Sequence, residues 1–437
     1  MIAALAAAGA LAGDGTPCFD VREHGLRNGL RILTLEDHSA PIVTFQSFWT
    51  VGAADERPGM TGAAHFLEHL MFDGARKYGP KEFDRRLEQA GGSSNAFTSA
   101  DFTVYFEEFP PAALDLVLDL ERDRWRHLAL AEESFRSELS TVREERRLNH
   151  EDDAAGAAME LLHATAFTAH PYQWPVVGWM DDLERLPIAE IRQFWRDHYA
   201  PDRCTIVVAG DFDTAALLPK LERCFGGLPR AKRPRPPRTA EPPQRGERRA
   251  RLEREVELPI VLLGWHAPAC RDDEWKALRA AQLVLAGLHS SRLETRLVHE
   301  LELAVHVEAG LSESADPGLF SVAITAAPGR EVEAVERAAR DEIAALARDG
   351  PTEDELRCAR AREAVDALRD LETVRDRGIA LGLAQLLHGD WRAALRRATS
   401  LDAIPAVRVK AAAAKHLVAS NLTVVTVTPP ADPEVAR

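Results

Sequence analysis

The sequence predicts an α+β protein made of two copies of one layered domain, in which strands form a sheet and helices pack on one side of it. Two observations support this fold class. Each half of the 437-residue chain has strand-like runs at both ends and helical patterns between them. The halves also repeat, because residues 41–43 match 259–261 and residues 198–208 match 416–425 at one common offset, 218 residues (259 minus 41 and 416 minus 198).

The elements of the first half follow from its residue patterns. Runs rich in β-branched and aliphatic residues predict strands, and longer amphipathic runs predict helices. In chain order, the predicted strands are 30–35, 43–51, the alternating segment 95–109, and 203–209. The predicted helices are 62–72, 81–90, 112–127 and 134–149.

A stretch dense in proline and arginine separates the two halves. It begins at Leu228-Pro229-Arg230 and continues to about Gly246, and proline at this density is excluded from packed helices and central strands. We therefore predict a semi-rigid linker. The predicted organisation is a signal peptide or tail at 1–18, a first domain at 19–228, the linker at 229–250 and a second domain at 251–430.

Composition excludes two classes of partner. The formal net charge of −15 argues against a nucleic-acid partner, since phosphate binding requires clustered cations. Outside the N-terminus the sequence has no run of about 18 apolar residues, so it predicts no membrane span. The N-terminus is apolar and contains Ala10-Leu11-Ala12, which is typical of a signal-peptide cleavage site, although the basic region is missing. We expect a periplasmic or secreted protein, with a cytoplasmic location as the alternative.

His65, Glu68 and His69 form the pattern H-x-x-E-H inside the predicted helix 62–72. Positions i, i+3 and i+4 of a helix lie on one face, so two imidazoles and a carboxylate would point at the same spot. Neutral imidazole binds Zn²⁺ well, and a nearby carboxylate can take a proton from a water that the metal activates. The spacing is that of the inverzincins. The competing interpretation is that His65 and His69 are a pair of core histidines. A chain with 15 histidines can contain this pattern by chance.

The offset of 218 residues places Leu283 and Gly287 where the two histidines would recur, so the second half lacks the motif. A catalytic zinc ion needs a third protein ligand and one open position. The predicted helix 134–149 carries Glu138 and Glu145, which are two turns apart and share a face. By itself this pattern is more typical of a charged helix in solvent.

These motifs together resemble the pitrilysin/insulinase family of zinc metallopeptidases, which includes the mitochondrial processing peptidases. In that family H-x-x-E-H is followed roughly 75 residues later by a ligand Glu before Arg-Arg, and here Glu145 precedes Arg146-Arg147. The run 91–98 resembles the family's active-site edge strand, and the run 170–178 resembles a loop beside the site. The resemblance covers nearly all of the chain.

The resemblance implies two mitochondrial processing peptidase-like domains, each an antiparallel sheet with helices on one face, that form a clamshell around a peptide substrate. Residues 19–228 would be the catalytic zinc-binding domain and 251–430 its inactive homologue. The implied function is a zinc-dependent endopeptidase that hydrolyses peptides, or polypeptides that are unfolded or small, in an enclosed chamber. The alternative is a non-catalytic structural or scaffold subunit of a processing-peptidase-like complex.

The resemblance also implies the site residues. Zn²⁺ would be held by His65, His69 and Glu145. Glu68 would be the general base, and Glu138 would orient a ligand histidine through a hydrogen bond. The peptide would pair as an added strand with the segment that consists of Asn95, Ala96, Phe97 and Thr98.

The sequence departs from the family pattern in its second half. Val298 and Val305 stand where active relatives have an Arg and a Tyr that contact the substrate near the scissile bond. Valine donates no hydrogen bond to a developing oxyanion, and His299 or His306 is the alternative donor. In two-chain relatives a zinc-less subunit supplies the Arg/Tyr pair. We therefore expect a dimer and hypothesise a heterodimer with a zinc-less homologue.

Overall fold

The computed structural model describes residues 16–430, so most of the predicted signal or tail at 1–18 lies outside the described residues. The described chain forms two compact units, and each combines segments from both halves of the sequence. The first unit contains residues 16–145, 174–238 and 367–396. The second unit contains residues 146–173, 239–366 and 397–430. The sequence predicts that each domain is one contiguous stretch, whereas the units of the structure exchange segments.

The first unit is built on a six-stranded sheet. Its strands are β1 (Val21–Gly25), β2 (Arg31–Glu36), β3 (Val43–Trp49), β4 (Ser93–Thr98), β5 (Thr103–Phe109) and β6 (Cys204–Gly210). They lie in the order β1-β2-β6-β3-β5-β4. Neighbouring strands are antiparallel except β2 and β6, which are parallel.

The second unit is built on a five-stranded sheet. Its strands are β7 (Arg248–Glu253), β8 (Ile260–Ala267), β9 (Ala304–Leu311), β10 (Gly318–Ala326) and β11 (Leu422–Thr428). They lie in the order β7-β11-β8-β10-β9. The pair β7 and β11 is parallel, and the other pairs are antiparallel. Both sheets are therefore antiparallel, as predicted, apart from one parallel pair in each.

Fourteen α-helices surround these sheets within residues 16–430. In the first unit they are α1 (Ala63–Leu70), α2 (Glu82–Gln89), α3 (Leu114–His127), α4 (Glu132–Arg146, whose last residue falls in the second unit), α6 (Met180–Arg185), α7 (Ile188–His198), α8 (Thr214–Phe225), α12 (Val374–His388) and α13 (Arg392–Arg396). In the second unit they are α5 (Ala154–Ala166), α9 (Asp273–Ala286), α10 (Val332–Asp349), α11 (Glu353–Arg369, whose end falls in the first unit) and α14 (Ala406–His416). Among residues 16–430, no helix combines the length and the hydrophobicity that a membrane span requires.

The predicted elements of the first half agree with the structure within a few residues. The predicted helix 62–72 is α1, and the predicted strand 203–209 is β6. The alternating segment 95–109 is the hairpin of β4 and β5. The predicted helix 134–149 is α4, which is followed by a π-helical turn at Arg147–Glu151.

The internal repeat is present in the strand order of the two sheets. The order β2-β6-β3-β5-β4 in the first corresponds to β7-β11-β8-β10-β9 in the second. Val43 pairs with Gly210, whereas Val261 pairs with Thr426, two residues short of the position that the 218-residue offset predicts. A shift of two residues keeps every side chain on its face, because side chains alternate with a period of two.

Helices cover both faces of the first sheet, whereas the sequence prediction placed them on one side. All seven residues of β3 are buried, so both of its faces require cover. One face packs against α1 and its neighbouring helices in the main core. The other face presents Gln46 and Phe48 to α12, where the glycines Gly378 and Gly382 allow close approach. A Cβ atom at Gly382 would lie 2.2 Å from the Phe48 ring.

The second unit has an equivalent arrangement. Its sheet meets α5 at Gly264 of β8, where an added Cβ atom would lie 2.9 Å from Cδ1 of Leu162. The helices α5 and α12 occupy equivalent places in the repeat, about 218 residues apart. The first half of the sequence therefore contributes α5 to the second unit, and the second half contributes α12 and α13 to the first unit.

The Pro/Arg-rich segment is anchored rather than free. Arg235 pairs with Asp55, and Arg238 pairs with Asp101, and both carboxylates belong to the first unit and are buried. Farther along, Glu241 accepts hydrogen bonds from three backbone N–H groups at residues 168–170 of the second unit. Strand β7 begins at Arg248, inside the predicted linker 229–250. Ion pairs thus supply the contacts that a proline-rich backbone does not make for itself.

Candidate metal centre and active site

Helix α1 carries the three residues of the H-x-x-E-H motif on one side. Its other side is anchored in the core by five apolar residues, Ala63, Ala64, Phe66, Leu67 and Leu70. His65, Glu68 and His69 are half-buried on the remaining face. The side chains of His65 and His69 are 12% and 23% exposed, which leaves both accessible to a ligand.

The start of α1 is held by two carboxylates that the sequence analysis did not identify. Glu56 accepts hydrogen bonds from the backbone N–H groups of Gly62 and Ala64 at 2.8 and 2.7 Å. Asp182 accepts from both the N–H and the hydroxyl of Thr61. Burial raises the pKa of Glu56 well above its usual range, against the two backbone hydrogen bonds that lower it. These contacts fix the helix from which the histidines project, since the first N–H groups of a helix have no partner within it.

Gly62 is required for this entry into α1. Its φ of 87° lies in the left-handed region that favours glycine. A Cβ atom at this position would also lie 2.3 Å from the carbonyl oxygen of Val177. Any other residue would displace the beginning of the helix.

Helix α4 brings Glu145 to the two histidines. Nε2 of His65 lies 3.6 Å from Oε1 of Glu145, and Nε2 of His69 lies 3.5 Å from Oε2. One ligand atom from each of the three residues falls within a set that spans at most 4.8 Å. Donors around a tetrahedral zinc ion with bonds of about 2.1 Å are about 3.4 Å apart. The donor set and its spacing therefore fit zinc, with two imidazoles and one carboxylate.

Glu138, two turns before Glu145 on α4, contacts the other ring nitrogen of a histidine. Its Oε2 lies 3.3 Å from Nδ1 of His69. Burial lowers the pKa of His69, but the carboxylates of Glu145, Glu68 and Glu138 outweigh this effect and raise it. A carboxylate on the far nitrogen of a metal-binding histidine fixes the ring orientation and the tautomer.

Glu68 makes a short hydrogen bond that the sequence analysis did not anticipate. The hydroxyl of Thr98 donates to Oε2 of Glu68 at 2.5 Å. Burial raises the pKa of Glu68, and the bond from Thr98 opposes this shift. The sequence predicts Thr98 in the peptide-binding strand, and nothing in the sequence signals a contact with Glu68 on α1.

Strand β4 is an edge strand among the described residues, because it pairs with β5 alone. Asn95 is exposed, and Ala96, Phe97 and Thr98 are half-buried. The side chain of Asn95 accepts a hydrogen bond from the N–H of Ala96, and the ring of Phe97 packs against Phe102 and Phe106. An open edge of this kind can pair with an extended peptide.

Val298 and Val305 belong to the second unit. Val298 lies in a π-helical segment, Glu294–Glu300, and packs against the second core. Val305 lies on the edge strand β9 and is 49% exposed. The alternative donors His299 and His306 are exposed.

Comparison with known proteins identifies the family to which the chain is similar. Residues 31–178 match the family model of the insulinase family, peptidase family M16, and residues 185–363 match the model of the peptidase M16 inactive domain. Zinc protease PqqE of Helicobacter pylori is 29% identical over 355 residues, which cover 80% of each chain. An uncharacterized zinc protease of Streptomyces coelicolor is 32% identical over 345 residues, which cover 77% of this chain and 74% of the relative.

Solved structures show the same fold. The crystal structure of a protease from Helicobacter pylori superposes with a TM-score of 0.89 at 26% identity, and the match covers 94% of this chain and 100% of that one. A peptidase M16 inactive domain from Pseudomonas fluorescens has a TM-score of 0.82 at 17% identity, with 94% and 98% covered. With two family models matched in order and relatives covered over most of their length, the chain belongs to the insulinase family of metallopeptidases, peptidase family M16.

Proposed function

We propose that the protein is a zinc-dependent endopeptidase in which His65, His69 and Glu145 hold the metal. The observation that carries this proposal is the convergence of two imidazoles and a carboxylate within 4.8 Å, with Glu68 on the same helix face. A structural pair of core histidines would not require a carboxylate from another helix at 3.5 and 3.6 Å. The names of the relatives, zinc proteases, support the same metal and reaction class.

Each polar residue of the site has a role in peptide hydrolysis. A zinc ion at these three residues would supply Lewis-acid chemistry, polarising the scissile carbonyl and lowering the pKa of water. Glu68 would accept the proton of the attacking water and pass it to the leaving amine. Glu138 would hold the ring of His69 in the orientation that presents Nε2 to the metal.

The open edge of β4 supports an extended peptide as substrate. Main-chain hydrogen bonds from Asn95 to Thr98 would bind the peptide with little dependence on its sequence. This mode of binding fits peptides and unfolded segments, whose backbone groups are available for pairing. It excludes folded proteins whose strands are already paired.

In the second unit, the residue that would donate a hydrogen bond to the developing oxyanion is not identified. Valine at 298 and 305 cannot supply it, so a zinc-less homologue that carries the Arg/Tyr pair is the partner that we propose. Purification of this chain alone and with a neighbouring homologue tests the heterodimer, and full activity of the isolated chain would contradict it. A periplasmic or secreted location, with the cytoplasm as the alternative, remains a prediction from the N-terminus.

The function is tested with Glu68→Gln and a matched control, Glu133→Gln, which changes an exposed residue of α4. We expect Glu68→Gln to keep its zinc while cleavage of a mixed peptide library falls by about 1,000-fold, within the range for loss of a general base. The control should keep both properties. A scaffold subunit, the second candidate, would cleave nothing in either form, even in complex with the zinc-less homologue, and that result would overturn the proposal.

A further inference from the structure

We propose that Thr98 is a positioning residue for Glu68: its hydroxyl holds one carboxylate oxygen and leaves the other available to the attacking water. This inference rests on the proposed function, in which Glu68 is the general base. It gives the side chain of Thr98 a role different from that of the peptide-binding residues of β4. The backbone of Thr98 stays on the open edge, but the side chain serves Glu68.

The contact itself is short and specific. The hydroxyl of Thr98 lies 2.5 Å from Oε2 of Glu68, at the short end of the range for an O–H donor on a carboxylate. A hydroxyl has one proton, and a carboxylate can only accept, so the proton of Thr98 is committed to Glu68. The nearby hydroxyl of Thr103 lies 3.4 Å from that of Thr98 and donates to the carbonyl of Val51 at 2.9 Å. Thr103 therefore does not compete for this bond.

The position of Thr98 is fixed by the β4–β5 hairpin, in which it is the last residue of β4 before the turn. Thr98 is paired with Thr103 across β4 and β5. The intervening turn is closed by a bond from Ser99 N–H to the carbonyl of Phe102 at 2.8 Å, and the hydroxyl of Ser99 accepts from two N–H groups within it. Asp101 of the same turn is buried against Arg238. The hydroxyl is thus presented to Glu68 from a rigid loop, on a side chain with few rotamers.

A polar layer in the core lies behind the hairpin. The hydroxyl of Tyr199 is hydrogen-bonded to that of Tyr105 at 3.1 Å. Tyr105 is fully buried, and the ring of Tyr199 packs on Trp49 at 4.8 Å between centroids. Thr103, the cross-strand neighbour of Thr98, is held by the bond from its hydroxyl to the carbonyl of Val51 as well as by the sheet.

Proton transfer explains why such support matters. A glutamate has three rotatable side-chain bonds, and α1 fixes only its backbone. Repulsion from the carboxylate of Glu145 acts on Glu68 as well, since both are acidic and lie at the same site. A misplacement of about 1 Å in a reacting group costs about 100-fold in rate. A fixed hydroxyl on one oxygen restricts Glu68 before substrate binds.

Three variants of the full-length zinc-loaded chain test the inference. Thr98→Val keeps the shape and removes the hydroxyl, Thr98→Ser keeps the hydroxyl, and the control Thr239→Val makes the same change at an exposed residue outside the site and should leave activity unchanged. We expect kcat of Thr98→Val to fall about 10- to 100-fold with KM within about twofold, and the serine variant to stay within about threefold of wild type. Zinc content and melting temperature, measured on every variant, separate this loss from misfolding.

Crystal structures of the same zinc-loaded variants supply a readout that does not depend on activity. We expect the Glu68 carboxylate to occupy one position in the wild type and in Thr98→Ser and another in Thr98→Val. An unmoved carboxylate in Thr98→Val, or a rise in KM with unchanged kcat, would overturn the positioning role. A wild-type chain that binds zinc and cleaves no peptide, either alone or together with the zinc-less homologue, would contradict the proposed function instead, and the carboxylate positions would still decide the role of Thr98.

Discussion

Helices α1 of the first unit and α9 of the second follow equivalent central strands, β3 and β8, but they differ in what they bury. The buried residues of α9 are apolar with the exception of Gln282. Leu283, which stands at the repeat position of His65, is 4% exposed. Helix α1 instead places His65, Glu68 and His69 half-buried at its corresponding face.

The difference shows that the fold itself does not require polar residues at these positions. Partial burial of imidazole and carboxylate groups costs free energy unless each group has a partner. In the first unit, Glu138, Glu145 and Thr98 are the partners of these polar groups and offset this cost. The second unit, without that constraint, packs aliphatic side chains in the equivalent place. Polar residues that oppose stability are expected at functional sites.

The largest expected effect comes from making α1 resemble α9. In His65→Leu we expect the bound zinc to fall from about one ion per chain to near zero, because two ligands do not hold a catalytic zinc ion. Peptide cleavage should fall more than about 100-fold, while stability without metal should be unchanged or higher. Zinc analysis by mass spectrometry, peptide cleavage and thermal unfolding in chelator measure the three properties.

The control for this change is His289→Leu, since the side chain of His289 is fully exposed. It should keep both zinc and activity. Stoichiometric zinc in His65→Leu would show that zinc binding by the first unit does not depend on this histidine. The contrast between α1 and α9 would then have no functional meaning.

The second prediction compares the exchanged helices α12 and α5. In Gly382→Ala the new Cβ atom would lie 2.2 Å from the fully buried ring of Phe48, so we expect a net loss of about 2 kcal/mol in unfolding free energy. That figure includes the gain of about 1 kcal/mol from helix propensity. In Gly264→Ala the nearest atom is the end of the Leu162 side chain, 2.9 Å away, so the loss should stay under about 1 kcal/mol.

Denaturant unfolding of both variants measures this difference. Equal losses at the two positions would mean that the first sheet adapts to α12 as readily as the second does to α5. A loss larger at Gly264 would reverse the comparison.

The smallest expected effect is the change of stability with pH that comes from His163 of α5. Nδ1 of His163 lies 3.1 Å from the carbonyl of Tyr172, and burial lowers the pKa of His163 below its ordinary 6.5. Below pH 6.5 the unfolded chain therefore binds a proton that the folded chain does not, and stability falls as the pH falls. The contribution of one such residue approaches about 1.4 kcal/mol per pH unit.

We expect His163→Gln to show a smaller loss of stability than wild type between pH 6.5 and 5. Urea unfolding at several pH values in chelator provides the measurement. His198 of the first unit, whose pKa burial also lowers, is the matched comparison. Parallel pH curves for wild type and His163→Gln would show that this histidine is protonated in the folded chain as readily as in the unfolded one.

Local patterns predicted the parts of the molecule that depend on neighbouring residues. The i, i+3, i+4 spacing of the motif identified α1 and its polar face, and alternation identified the β4–β5 hairpin, apart from its turn. The equal offsets of distant runs identified the repeat, which the strand order of both sheets reproduces. The helices that cover the second face of each sheet were missed, because the pattern of α12 does not show which sheet it contacts.

The sequence by itself determined which residues of α1 share a face, because helix geometry follows from spacing alone. It also determined that Glu138 and Glu145 share a face of α4. The family resemblance was needed to assign Glu145 as a metal ligand and Glu138 as the residue that orients a histidine. Only the tertiary structure decided that α4 brings Glu145 within 3.6 Å of His65, and that Glu56 and Asp182 hold the start of α1. It alone placed the hydroxyl of Thr98 on Glu68. These contacts join residues up to 121 positions apart, and local spacing carries no information about which distant segments meet.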